Sequence, residues 1–300
     1  MNKGNKMVSN EDIIRMQLIN GLGRKTISKI LNYIETRDLK LNNFSDIVKL
    51  LERMGIKRLK IDLDKIEKDA SEIFECCKES KIKIIGLYDM EYPKRLKFIE
   101  DKPIILYVDG DEELLDQDNN IAIVGSRTPS QKGYEISSIF AEKLAEEHCC
   151  IVSGFASGCD EAAHNGCLQA KGRTVAVIPS GHLNVIRNNK ALYNMIIING
   201  GAIVSEFPPK EKAGKYGFID RNRIIAAISE GIIVIEGGQK GGIFHTVKYA
   251  NDYNRPVAYT TNFLEEEKKP IFNNNIEIID SFDKLANFKN KTCKKNCLTM

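Results

Sequence analysis

Long apolar runs are missing from this 300-residue chain. No stretch approaches the roughly 18 apolar residues of a membrane-spanning helix, and the opening MNKGNKMVSNED has no apolar segment of the signal-peptide kind. These absences assign the chain to the cytoplasm and leave it no membrane partner. Histidine is scarce: His148, His164, His182 and His245 are scattered, and none has a metal-ligand spacing such as H-E-x-x-H. There is no G-x-S-x-G elbow, no G-x-G-x-x-G and no G-x-x-x-x-G-K-[ST], which disfavours serine hydrolysis and NAD or ATP binding in their usual forms. A net charge of +3 is too small to indicate nucleic-acid binding without a local basic cluster. Cysteine is present but without a framework. Cys76 and Cys77, Cys149 and Cys150, Cys159, Cys167, and the tail pair Cys293 and Cys297 read as free thiols, and C-x-x-x-C lacks the second ligand pair of a zinc site. We assign no metal, no cofactor and no catalytic constellation. His164, one turn beyond Asp160, reads as a base or as a packed helix histidine; the second fits better, since no nucleophile or orienting partner is identifiable.

What is present is a regular alternation. With 42% hydrophobic and 28% charged residues, the chain suits one large core and a smaller module. From Ile121 onward, IAIVG, CIVSG, TVAVIPS, AIVSE, GIIVIEG and PVAYT alternate with segments of helical length at 134–148, 160–171, 222–230 and 244–254. Strands apolar on both faces and separated by helices specify an α/β fold, a Rossmann-like doubly wound and mostly parallel sheet. IKIIGLY from Ile82 and PIILYV from Pro103 are expected at one edge of it, giving a domain over 81–285. Residues 1–80 lack strand-like runs and read as a small helical module, and 286–300 as a frayed basic tail.

The loops after the strands carry the chemistry, because ligands of open parallel sheets bind outside the carboxyl ends of the strands. Gly125, Ser126 and Arg127 read as a strand-turn-helix anion site, with backbone N–H groups, a helix dipole and a guanidinium fork, or as plain tight-turn chemistry at a strand end. Ser153 and Gly154, with Ala156 and Gly158, keep the next loop bare, and Asp160 caps the helix that follows. A long connection delivers Arg221, Asn222 and Arg223 to a helix start, and GQKGGIFHT brings Lys240. Between 207 and 224 the basic Lys210, Lys212, Lys215, Arg221 and Arg223 face only Glu211 and Asp220. This run is a binding cluster or a solvated loop. In the helical module, Gly21-Leu22-Gly23 followed by Arg24 and Lys25 suits a helix-hairpin-helix that points N–H groups at a phosphate of a second DNA contact. A plain helix-helix turn with a glycine C-cap fits the same residues.

The succession YDMEYPKRLKFIEDKPIILYVDGD, IAIVGSR, IVSGFASGCDEAAH, GRTVAVIPSG, GGAIVSEFPP and RNRIIAAISEGIIVIEG strongly resembles the DNA-processing protein A (DprA, or Smf) family over about residues 81 to 260. The resemblance implies a homodimeric, non-enzymatic protein that binds single-stranded DNA, protects it and loads RecA recombinase in natural transformation, competence or DNA recombination. It implies DNA contacts at Arg127, at Lys171 or Arg173, and at the RNR pair Arg221 and Arg223. Phe155, Tyr216 and Phe218 lie in the right loops to stack bases, or are buried aromatics. The pattern is divergent. Gly241-Gly242-Ile243 replaces the family's Ser-Gly-Ser, Ile186-Arg187 its Tyr-Pro, Ile219-Asp220 the proline region before RNR, and Tyr259-Thr260-Thr261 a Pro-Gly turn. No winged helix is expected after the sheet. These changes leave the basic residues in place, so DNA binding is the safer expectation than RecA loading. Two alternatives stay open: a phosphoribohydrolase-like enzyme, since IVIEGGQKGG partly matches P-G-G-x-G-T, and a small-nucleotide sensor.

Overall fold

The structure is a computed structural model that describes residues 8–41, 43–56, 59–214, 216–237, 241–260 and 276–293. It divides into two compact units, Met1–Tyr92 with Glu100–Tyr107, and Pro93–Ile99 with Val108–Met300.

The first unit is built from α1 (Asn10–Leu18), α2 (Arg24–Thr36), α3 (Phe44–Arg53) and α4 (Leu63–Glu79). Three of these starts are fixed by a side chain accepting a first-turn N–H: Ser9 from Asp12, Asn43 from Asp46 and Asp62 from Lys65. Each helix turns an apolar stripe inward, as with Ile27, Ile30, Leu31 and Ile34 of α2, and the stripes meet in one cluster with Ile82, Ile104 and Tyr107. Strand β1 (Lys83–Gly86) and the first residues of β2 (Ile105–Gly110) belong to this unit. The sequence expected both runs at one edge of the large sheet, and β1 and β2 are the first two of its nine strands; contact density groups them, up to Tyr107, with the helices.

The second unit contains α5 (Lys94–Lys97), a 3-10 turn (Glu112–Asp116), β3 (Asn120–Val124), α6 (Gln131–Glu146), β4 (Cys150–Ser153), α7 (Cys159–Gln169) and β5 (Thr174–Ile178). It continues with α8 (His182–Asn188), α9 (Lys190–Ile198), β6 (Ala202–Ser205), α10 (Gly217–Ile228), β7 (Gly231–Val234), α11 (Gly242–Asp252), β8 (Val257–Thr260), β9 (Glu277–Ile279) and α12 (Phe282–Thr292). From the end of β2 its strands run in the order β2-β6-β5-β4-β3-β7-β8-β9. From β6 to β9 the pairings are parallel, with Ile121 beside Ile151, Ala122 beside Ile232 and Ala176 beside Ile203. Strands β3 to β8 are buried along their whole length, which is why each reads as an unbroken Val and Ile run. The expected doubly wound α/β architecture is the observed one. The chain fills one side of β3 with β4, β5 and β6, then returns to lay β7, β8 and β9 on the other, so β3 and β7 mark the switch point.

The expected frayed tail is corrected in part. Residues up to Thr292 form α12, because Leu285, Phe288 and Thr292 make a buried stripe; Phe288 has no exposed surface. A Cβ on Gly231 of β7 would lie 2.9 Å from the Phe288 ring and 2.7 Å from Thr292 Cγ2, so this glycine makes room for α12. Cys76, Cys77, Cys149, Cys150, Cys159, Cys167 and Cys293 are free thiols, while Cys297 lies outside the described residues. Among the described residues no helix is long and apolar enough to cross a membrane. Truncating Phe288 to alanine is expected to cost about 3–5 kcal/mol, read as a lower denaturant midpoint for the second unit.

Candidate nucleic-acid interface

The start of α6 follows the Gly125-Ser126-Arg127 turn, and its anion position is already filled by the chain itself. Glu236, which follows β7, accepts from Ser130 N at 3.0 and 3.1 Å and from Ser130 Oγ at 2.7 Å, while Ser130 Oγ accepts from Gly133 N at 3.0 Å. Only 3% of Glu236 is exposed. A carboxylate at a helix N-terminus satisfies the same N–H groups and dipole that a phosphate would. The expectation of a ligand phosphate on this helix start is thus corrected. Gly125 also has a different role from the one expected. A Cβ there would meet Cys159 Sγ at 2.5 Å, so the glycine admits α7, whose Cys159 N donates to Ser126 O at 3.0 Å.

Behind this turn sits a buried guanidinium. Arg221, 5% exposed on the second turn of α10, donates from Nη1 to the carbonyls of Gly154 and Val177 and from Nε to Asn222 Oδ1 at 3.0 Å. Burial lowers its pKa to about 10, Asp160 opposes that shift and Arg127 adds to it, so it keeps its charge at neutral pH. Asp160 is itself raised by burial, with Arg221, backbone N–H groups and the Ser153 hydroxyl pulling the other way. Gly154 is bare because a Cβ would lie 2.2 Å from Arg221 Nη1 and 2.5 Å from Asp160 Oδ2. Ser153 has no exposed surface, and its Oγ donates to Ile123 O at 2.6 Å. Ser153 is therefore committed to the sheet edge, and Gly154 is bare to admit Arg221 and Asp160 while also lining a cavity at that edge.

Arg223 is a sharper correction. It has no exposed surface, and its Nη2 lies 2.8 Å from both carboxylate oxygens of Glu206, with Nη1 donating to Asp220 O at 2.7 Å. A side chain closed into that pair supports α10 against the end of β6 and has no face for a phosphate. Asn222, 6% exposed, accepts from Arg221 and donates to Gly242 O at 3.0 Å. It fixes α10 to the start of α11.

The solvent-facing surface consists of two cavities that share a wall. One, of about 530 Å³, is lined by Gly125, Ser126, Asp160, Arg221, Asn222 and Thr246 among others. The other, of about 770 Å³, is lined by Gly154, Phe155, Glu161, Asn184, Arg187, Asn188, Asn189 and Lys212 among others. Arg127, Ala156 and Phe218 line both. The exposed Arg127 guanidinium lies over the Phe218 ring, 4.3 Å from its centroid, in a cation-π stack. The sequence reading missed Arg187 as a cavity residue, although Arg187-Asn188-Asn189-Lys190, in the connection after β5, offered the signal. It left Phe218 undecided between stacking and burial; at 37% exposure the ring is open to solvent.

Lys171 and Arg173 are not brought to this crevice. They precede β5 and lie at the amino edge of the sheet, roughly 15 Å of strand away from the carboxyl edge. Arg173 faces Asp111 at 3.5 Å. Lys240 and Lys215 lie outside the described residues. In the first unit, Gly21 takes the left-handed φ of +88° that the turn requires, Leu22 is buried, Gly23 caps α2 and Lys25 is exposed. Arg24 is closed onto Asp101, Nε to Oδ1 at 2.8 Å and Nη2 to Oδ2 at 2.5 Å, which corrects its expected role as a DNA contact. Among the described residues no group of three His, Cys, Asp or Glu is placed to hold a metal ion.

A doubly wound domain with arginine-lined cavities at the carboxyl edge of its sheet defines a Rossmann-like protein. The family model for DNA recombination-mediator protein A matches residues 83–282, and the chain belongs to that family. It is 32% identical over 215 residues to the DNA processing protein DprA of Bacillus subtilis, covering 71% of this chain and 72% of that protein. The X-ray structure of DNA processing protein A from Streptococcus pneumoniae superposes with a TM-score of 0.72 at 26% identity, covering 94% of this chain and 98% of that one. The protein from Helicobacter pylori, whose structure addresses its single-stranded DNA binding mode, gives a TM-score of 0.61 at 26% identity over 72% of this chain and 98% of that one.

Two outcomes separate support from contact. Arg223→Ala leaves Glu206 buried without its partner, and the expected loss is about 3–5 kcal/mol of stability in denaturant unfolding. His164 is also structural. The Thr174 hydroxyl donates to Ile151 O at 2.6 Å, so His164 Nδ1, 2.8 Å away, carries the proton, and Nε2 is buried with no partner among the described residues. Burial and then the Arg221 charge lower its pKa to about 3. Because the folded pKa lies below the unfolded value of about 6.5, stability is full above that pH and falls as the pH drops towards 3. Urea unfolding from pH 7 to pH 4 should have a slope smaller by up to about 1.4 kcal/mol per pH unit in His164→Gln than in wild type.

Proposed function

We propose that this protein binds single-stranded DNA in the paired cavities at the carboxyl edge of its sheet and acts on DNA by binding, without turnover chemistry. The carrying observation is the Arg127–Phe218 stack on the wall between the cavities, a phosphate fork and an aromatic face at one point. A single strand offers an unpaired base and a phosphate together; a duplex does not expose its base faces. The groups that remain solvent-facing around the stack, Arg127, Arg187 and Lys212, suit sequence-independent phosphate contact.

The absence of turnover is our reading of the same residues. His164 is neutral and enclosed, and Asp160 is buried against Arg221, so neither is an accessible acid or base. Membership in the recombination-mediator family supports a further reading. In it the bound strand is protected and handed to RecA recombinase by a cytoplasmic homodimer, as in transformation and recombination. The glycine turn at Gly21 to Gly23, with Lys25, is a weaker second DNA contact in this proposal, preferring duplex.

The test is binding of labelled oligothymidine of about 30 nucleotides, and of the matching duplex, over a salt series. Tight binding that favours the single strand and weakens steeply with salt is expected. Arg127→Ala should reduce the magnitude of the slope of log K against log salt by about 0.7, the share of one phosphate on a single strand. Binding of a mononucleotide alone, or release of ribose phosphate from AMP, would replace this reading with a sensor or a phosphoribohydrolase.

A further inference from the structure

The larger cavity extends well beyond the reach of a contact at Arg127. At about 770 Å³ it falls in the range of cavities that enclose a whole small ligand, roughly 300–1,000 Å³. One wall is the inner face of α8, where Asn184, Arg187 and Asn188 stand at the i, i+3, i+4 spacing of a single helix face. Lys212, from the connection after β6, lines the same cavity, and both Lys212 and Arg187 are exposed. The carboxylate there, Glu161, accepts from Asn189 Nδ2 at 3.2 Å, and Asn189 Oδ1 in turn accepts from Leu192 N to start α9. The cations therefore share this cavity with a carboxylate that is already hydrogen-bonded to its own wall.

We propose that Arg187 and Lys212 form a second phosphate subsite, which takes a backbone phosphate of the strand whose neighbouring part lies on Arg127 and Phe218. The inference rests on the single-stranded DNA reading given above. Arg127 faces both cavities, so a strand crossing the shared wall passes from one set of cations to the other without leaving the basic surface. The amide of the exposed Asn188 adds a donor on the same wall, while Asn184 Nδ2 donates to the carbonyls of Lys210 at 3.1 Å and Glu211 at 2.8 Å and so holds the connection that carries Lys212 against α8.

The experiment compares the full chain with Arg187→Ala, Lys212→Ala, Arg187→Lys and Arg127→Ala, on a long oligothymidine across a salt series. Thermal unfolding of each variant reports folding. Arg187→Ala and Lys212→Ala should each reduce the magnitude of the salt slope by about 0.7, Arg187→Lys should restore it, and unfolding temperatures should stay near wild type. A slope that falls in Arg127→Ala but stays at the wild-type value in Arg187→Ala would overturn the second subsite and leave the binding reading intact. A loss of affinity in Arg187→Ala with no change of slope overturns it too, since the residue would then shape the wall without touching phosphate. If the wild-type chain binds no single strand, the parent reading and the subsite fall together.

Discussion

The carboxyl edge of the sheet is organised by one almost fully buried charge. Arg221 donates to the carbonyls of Gly154 and Val177 and to Asn222, beside the buried carboxyl of Asp160. A guanidinium in that environment is tolerated only because its donors are directed at fixed acceptors and an opposite charge lies close by. In meeting that requirement it ties α10 to the loop after β4, to β5 and to α7. The bare Gly154, the inward Ser153 and the position of Asn222 all follow from the space and partners it demands.

The same economy governs the other charges. Glu236 serves the start of α6, Glu206 closes on Arg223, and Asp101 closes on Arg24. A sequence with basic residues before and after its strands thus commits much of that charge to its own architecture. Among the described residues that line the two cavities, Arg127, Arg187 and Lys212 are the cations left open to solvent.

The sheet was legible because burial on both faces writes itself as uninterrupted runs such as TVAVI and GIIV, whose neighbours along the chain are helices. Short or partly exposed elements were not. Strand β9 is three residues long with a mixed pattern, and α12 hides its Leu285 and Phe288 stripe in a lysine-rich and asparagine-rich segment. The site divided along a similar line. Arg127 was found because it directly follows its strand, and it lines both cavities. The roles of Arg223 and Glu236 depend on partners 17 and 106 residues away, so no local pattern separates a buried pair or a helix cap from a ligand contact. Lys171 and Arg173 look equivalent to Arg127 in sequence. The direction of parallel strands puts them at the other end of the sheet.

The Arg127 guanidinium resting on Phe218 has a thermodynamic corollary. One face of the ring is already covered before any ligand arrives, so a base that stacks there exchanges one planar partner for another and brings little new apolar surface out of water. Association at this point should therefore carry only a shallow heat-capacity change, with its free energy coming from the ions released when phosphate meets the freed guanidinium. In the proposed complex the Arg127 guanidinium stands in for the base on this ring, and an entering strand would displace part of the protein as well as water.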